Sequence, residues 1–181
     1  MLTIENSLPI KWSSIAFPID YQRILEMQEN NRQLLFVLLD KHKISTELEN
    51  ETDNTFVELK VLQHKVDILT AWLSKLLVNQ MTLPDRQTVK ISSKDVTITS
   101  KIKFSIEDTL LIECYIEPEF PQALLFYGQV ISVTESEPGY EVVIQFINLG
   151  TEVSDLLDKL IFQNHRRQVA YTKSMEIPKN D

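Results

Sequence analysis

The sequence has three glycines, one cysteine and no basic excess. Each scarcity removes a class of function. Three glycines, Gly128, Gly139 and Gly150, cannot build the glycine-rich loop whose backbone cradles a nucleotide phosphate. A single cysteine, Cys114, rules out an internal disulfide and a cysteine-paired zinc site, and in a β-branched stretch it reads as a buried, inert thiol. A formal charge of −8 argues against sequence-independent nucleic-acid binding, which needs cations to displace counterions. The longest apolar run, 34–39, is far too short to span a bilayer, so no membrane insertion is expected. Glu5 and Asn6 stand where a signal peptide would carry basic and then apolar residues, which predicts a cytoplasmic protein. His42, His64 and His165 have no ligand-spaced partners, so no metal site is expected. Ser92 and Ser93 lack a nucleophile-elbow context, and no base or nucleophile pair indicates an enzyme.

What is present is a long regular helix, expected over 55–79. Leu59, Leu62, Val66, Leu69, Leu73 and Leu76 recur at alternating spacings of three and four, the a/d seam of a heptad repeat. Thr55 and Glu58 form a capping box at its start, and Pro84 forbids continuation past its end. Val61, Ile68, Trp72 and Leu77 widen the apolar arc, while the flanking Gln63, Lys65 and Thr70 offer no charge pairing. A two-stranded zipper would leave that arc wet, so a homo-oligomer of more than two chains is expected.

Upstream, Leu8, Ile10 and Trp12 alternate with Pro9 and Lys11 in a short extended piece that the proline confines to an edge. Asp20 caps a first helix running to about Lys43, with Gln28, Asn31 and His42 interrupting its apolar stripe. The link 46–54 carries Glu47, Glu49, Glu51 and Asp53 but lacks the glycine and spaced glutamate of a calcium loop. It reads as a solvated connection long enough for an antiparallel helix pair.

Downstream, β-branched stretches at 88–91, 96–99, 109–117, 123–133 and 140–147 are separated by turn signals, including Glu137-Pro138-Gly139. Five short strands in sequence favour a small antiparallel barrel or sandwich. After Gly150 a helix is expected, capped by Thr151 or Ser154, with Val153, Leu156, Leu157, Leu160 and Ile161 inward and His165, Arg166 and Arg167 in its last turns. The fold class is therefore α+β. An extended segment (1–19), expected to pack on the barrel, precedes a helical hairpin and heptad oligomerisation region (20–82), a β-barrel with a closing helix (83–174) and a flexible tail (175–181).

The run 142–149 followed by 155–167 resembles the last strand and closing helix of a PilZ domain. Lys90-Ile91-Ser92-Ser93-Lys94-Asp95 lies where that family has its Asp/Asn-x-Ser-x-x-Gly turn. With Leu8-Pro9-Ile10-Lys11-Trp12 and the heptad helix, the layout is similar to the atypical PilZ proteins that assemble as tetramers. The resemblance implies a barrel, a tetramer and a place in cyclic di-GMP signalling with protein partners that sequence does not name. In the family an Arg-x-x-x-Arg segment grips the nucleotide, a task for forked guanidinium donors. Here only Ser92 of the turn is retained, a lysine replaces the acceptor and Asp95 the glycine, and Arg86 has only Lys90 at the required spacing. The expected reading is a non-catalytic scaffold with a degenerate nucleotide site and no bound cofactor. The alternative is a cyclic di-GMP receptor whose altered site uses Arg86, Lys90, Ser92 and Lys94, or the Arg166-Arg167 pair.

Overall fold

The structure, a computed structural model, describes residues 3–47, 54–117, 120 and 122–175. Most of the acidic link, Pro118 and the tail beyond 175 lie outside the described residues, as do the Thr55 and Glu58 side chains of the expected capping box. The elements in order are β1 (Ile4–Ser14), α1 (Tyr21–Glu47), α2 (Asn54–Gln80), β2 (Arg86–Ile91), β3 (Asp95–Ser100), β4 (Thr109–Cys114), β5 (Leu124–Ser136), β6 (Gly139–Ile147) and α3 (Thr151–Met175).

The strands close into an antiparallel barrel in the order β1-β2-β3-β6-β5-β4. Strand alternation drives the closure: Val89 and Ile91, Val96 and Ile98, Leu110, Ile112 and Cys114, and Val142 and Ile144 all point inward and are buried. Phe126 fills the interior and stacks on Phe146 at 4.3 Å between ring centroids. A Cβ at Gly128 would collide with Ile144 Cγ2, so the strand interior there has room only for glycine. Burial pushes the Cys114 thiol up to about 12, which keeps it neutral at ordinary pH.

The N-terminal segment is more than the short edge piece its proline suggested. β1 is the sixth strand and pairs on both sides, Ile4 to Pro9 with β2 and Ile10 to Ser14 with β4. Pro9 sits at the hand-over, opposite Arg86 at the end of the β2 ladder, and its carbonyl accepts the Tyr115 N–H at 3.0 Å. The missing N–H therefore falls between two ladders, where a proline is tolerated.

α3 plugs one end of the barrel with Val153, Leu156, Leu157, Leu160 and Ile161, all buried. Neither Thr151 nor Ser154 caps it. The Gly150 carbonyl accepts the Ser154 N–H at 3.1 Å, and the Ser154 hydroxyl turns toward the Ser93 carbonyl at 3.4 Å. The helix also runs on to Met175, so His165, Arg166 and Arg167 lie mid-helix, away from the C-terminal dipole.

α1 begins as expected, with Asp20 Oδ1 accepting the Gln22 N–H at 3.3 Å. Its buried face, including Met27, Leu34, Leu35, Leu38 and Leu39, packs on α3 and β5. Two of the polar residues that interrupt the stripe make this docking specific. β5 and β6 pair only as far as Tyr127 and Ile147, so Leu125 is left without a β6 neighbour. The Asn31 carboxamide takes that place: its Nδ2 donates to the Leu125 carbonyl at 2.6 Å and its Oδ1 accepts the Leu125 N–H at 2.9 Å. Gln28 Nε2 donates to the Asn148 carbonyl at 2.8 Å beside Gly150, whose positive φ suits glycine. Replacing Asn31 with alanine orphans both Leu125 groups and is expected to cost roughly 2–4 kcal/mol, measurable by urea denaturation. A loss below about 1 kcal/mol would mean water replaces the clasp.

Candidate functional site

The Ser92–Asp95 turn links β2 to β3, and its geometry follows from Ser92. That side chain is fully buried, and its hydroxyl is committed within the turn. Ser92 Oγ donates to Asp95 Oδ1 at 2.8 Å and accepts the Lys94 N–H at 3.1 Å and the Asp95 N–H at 3.0 Å. The Ser92 N–H donates to the Asp95 carbonyl at 2.9 Å, and the Lys94 carbonyl accepts from Phe146 N–H at 2.8 Å. The Asp95 carboxylate thus supplies from inside the chain an oxygen anion for the serine hydroxyl. A ligand phosphate would have to displace it.

The other three candidate residues lie outside the barrel. Arg86, Lys90 and Lys94 are exposed, while the alternating Val89 and Ile91 face inward. Arg86 and Lys90 stand four strand residues apart on one face, about 13 Å along β2. Glu5 of β1 is directly opposite Lys90. The structure therefore groups Lys90, Ser92 and Lys94 at one turn, with the serine turned inward and Arg86 at the far end of the strand.

Arg166 and Arg167 are also separated, as consecutive helical residues must be. The Arg166 guanidinium lies over the Phe162 ring at 5.9 Å. Arg167 instead lines a cleft of about 210 Å³ with Asn6, Ile91, Ile116, Glu117 and Asn164. A second groove, between α1 and the start of α3, contains Arg32. That guanidinium is engaged by Glu29 at 2.9 and 2.7 Å, and the hydrogen bond holds the Glu29 carboxyl below the usual carboxylate range. Among the described residues no group of three or more histidine, cysteine or acidic side chains could hold a metal ion.

Among the described residues, α2 carries a long row of exposed apolar side chains. Leu59, Leu62, Val66, Leu69, Leu73 and Leu76 are between 48 % and 61 % exposed, although α2 is 27 residues long. α1 packs against α3 and β5 and leaves that seam open. No described helix is long and apolar enough to cross a membrane, so the apolar stripe is not a membrane span. Sequence reasoning did not find the Arg167 cleft, because its lining comes from β1, β2, the loop after β4 and α3. Only the tertiary arrangement brings those four stretches together.

No curated protein matches the chain. The chain is similar in fold to a crystal structure of a pathogenic protein from Xanthomonas campestris, described as a tetrameric PilZ domain self-assembled via an unusual helical bundle. The TM-score is 0.75 at 21 % identity, over 93 % of this chain and 90 % of that one. A family model described as "Atypical PilZ domain, cyclic di-GMP receptor" matches residues 35–174. With that match spanning most of a chain whose barrel and closing helix have the same architecture, this protein belongs to the atypical PilZ domain family.

Proposed function

We propose that this protein is a non-catalytic, self-associating PilZ scaffold in bacterial cyclic di-GMP signalling, whose barrels dock partner proteins and whose usual nucleotide site is degenerate. The single observation that carries the reading is the open α2 seam: six large apolar residues in heptad register, about half or more of each in water. A patch of that length is characteristic of an association surface, and the Xanthomonas protein's helical bundle is consistent with a tetramer here.

The degenerate nucleotide site is supported by the turn chemistry. Ser92 is saturated by its own turn, Asp95 brings a negative charge, and Arg86 has only a lysine, Lys90, at the spacing where the family has a second arginine. Titrating the full chain with cyclic di-GMP in a calorimeter is expected to give binding weaker than about 1 mM. A micromolar signal that disappears on replacing Arg86, Lys90 or Arg166 with alanine would establish the receptor reading in its place.

A further inference from the structure

The barrel is closed along only part of the seam between β1 and β4. β1 pairs with β2 over Ile4 to Pro9 and with β4 over Ile10 to Ser14. β4 ends at Cys114, so among the described residues no strand stands beside Ile4 to Leu8 on the side away from β2. The backbone there is nonetheless aimed at the gap. The Pro9 carbonyl accepts the Tyr115 N–H at 3.0 Å and so faces the β4 side. Backbone groups of an antiparallel strand alternate between its two edges, so those of Ser7 and Glu5 face the same way. The Ser7 N–H is met there by the Asn6 side chain, whose Oδ1 accepts it at 2.8 Å. A side chain standing in for a strand is one way an open edge is kept from random pairing. The Arg167 cleft lies along the same gap. Its floor is the buried Ile4, Leu8 and Ile91 with the half-buried Ile116, and the exposed Asn6 and Arg167 stand at its rim.

We infer that this open edge is a docking site for an extended segment of a partner protein, which adds a strand antiparallel to β1 where β4 stops. This rests on the reading that the barrels dock partner proteins, and it adds where they dock and by what chemistry. Strand addition takes affinity from main-chain hydrogen bonds and specificity from pockets for alternate side chains. The residue opposite Asn6 points into the cleft and is aliphatic, to match the isoleucine and leucine floor. Residues opposite Glu5 and Ser7 point outward. Lys90 already flanks Glu5 on the β2 side, and a cation on the open side flanks that carboxylate from the other. The formal charge of −8 also draws a basic segment from solution. The occupant is therefore a strand that alternates aliphatic and basic residues. It is antiparallel because β1 is antiparallel to both β2 and β4, and the segment prolongs the place of β4.

The test is fluorescence anisotropy of the full chain titrated against a labelled peptide that alternates lysine and valine. Saturable binding is expected. The lysines stand opposite Glu5 and Ser7, so their amides bond to β1. N-methylation at the lysines should weaken binding by at least about tenfold, and N-methylation at the valines should leave it within about twofold. A peptide alternating lysine and serine has the same charge and should also bind at least about tenfold more weakly. Ser7→Pro removes the edge N–H without touching a β2 bond and should weaken binding by a similar factor, with far-UV circular dichroism confirming the barrel. The two methylated peptides keep the test decisive if that variant does not fold. Equal binding of the lysine–serine peptide would reduce the contact to charge attraction and overturn the inference. So would equal effects of the two methylation patterns, full binding by a folded Ser7→Pro, or no binding by the wild type. Any of these leaves docking through other barrel faces standing. That broader reading fails separately if photocrosslinkers placed at Glu5, Thr99 and Ile131, all exposed, capture no protein in bacterial cells.

Discussion

Leu69→Glu combined with Leu73→Glu is expected to convert the assembly into single chains. Each seam leucine has more than half its surface in water in the isolated chain. Covering that remainder contributes roughly 1–2 kcal/mol per leucine, so the two substitutions forfeit a few kcal/mol per chain. The new carboxylates weigh more heavily still. Each would be carried into an apolar seam, where burial strongly disfavours a charge, and Lys65, one turn before position 69, can offset it at one of the two positions only. Association also has to overcome at least about 4 kcal/mol of lost translational and rotational freedom, which leaves little surplus. The dissociation constant should rise by at least about a thousandfold, equivalent to roughly 4 kcal/mol. Light scattering at micromolar concentration reads this directly. Because the seam lies outside the barrel, thermal unfolding of the barrel should change little. If the double variant keeps the wild-type mass, association runs through some other surface.

Phe126→Ala is expected to have the largest effect on folding itself. Phe126 is fully buried, is among the largest fully buried side chains, and stacks on Phe146 with an interplanar angle of 13°. Truncating a ring in such a position costs about 3–5 kcal/mol through lost transfer energy and the cavity left behind. Gly128 and Ile144 are already in close approach, which limits how far the wall can collapse to fill the gap. That loss is a large share of the roughly 5–15 kcal/mol typical of a domain. Phe162→Ala is the control. Its ring is exposed beneath Arg166, so removal should cost within about 0.5 kcal/mol. A guanidinium denaturation series measures both, and similar midpoint shifts for the two would contradict the assignment of the core.

How much was legible in the residues differs from element to element. The five C-terminal strands and both long helices follow from local periodicity, because burial on one face imposes a period of two on strands and about 3.6 on helices. The α2 bounds differ from expectation by one residue at each end. The pairing of β1 was not legible, since Pro9 argues locally against an inner strand and only barrel closure creates the gap between two ladders where it fits. Asn31 is a similar case. In a heptad reading it looks like a polar seam residue, yet it satisfies a strand backbone 94 positions away. The Ser92 turn was legible as a departure from a family pattern. Which oxygen takes the serine proton was not, because that depends on the folded rotamers of Ser92 and Asp95.

Sequence alone determined the local features: which segments are helix or strand, which face of each is apolar, and which residues at the turn differ from the family's pattern. Tertiary structure decided the non-local ones: that the first strand completes the barrel, that α1 lies against α3 and β5, and that the α2 seam therefore remains in water. The physical reason is that propensity and periodicity act within a few residues. Which apolar face covers which is a competition among all faces at once, and α1 can be buried only against one of them.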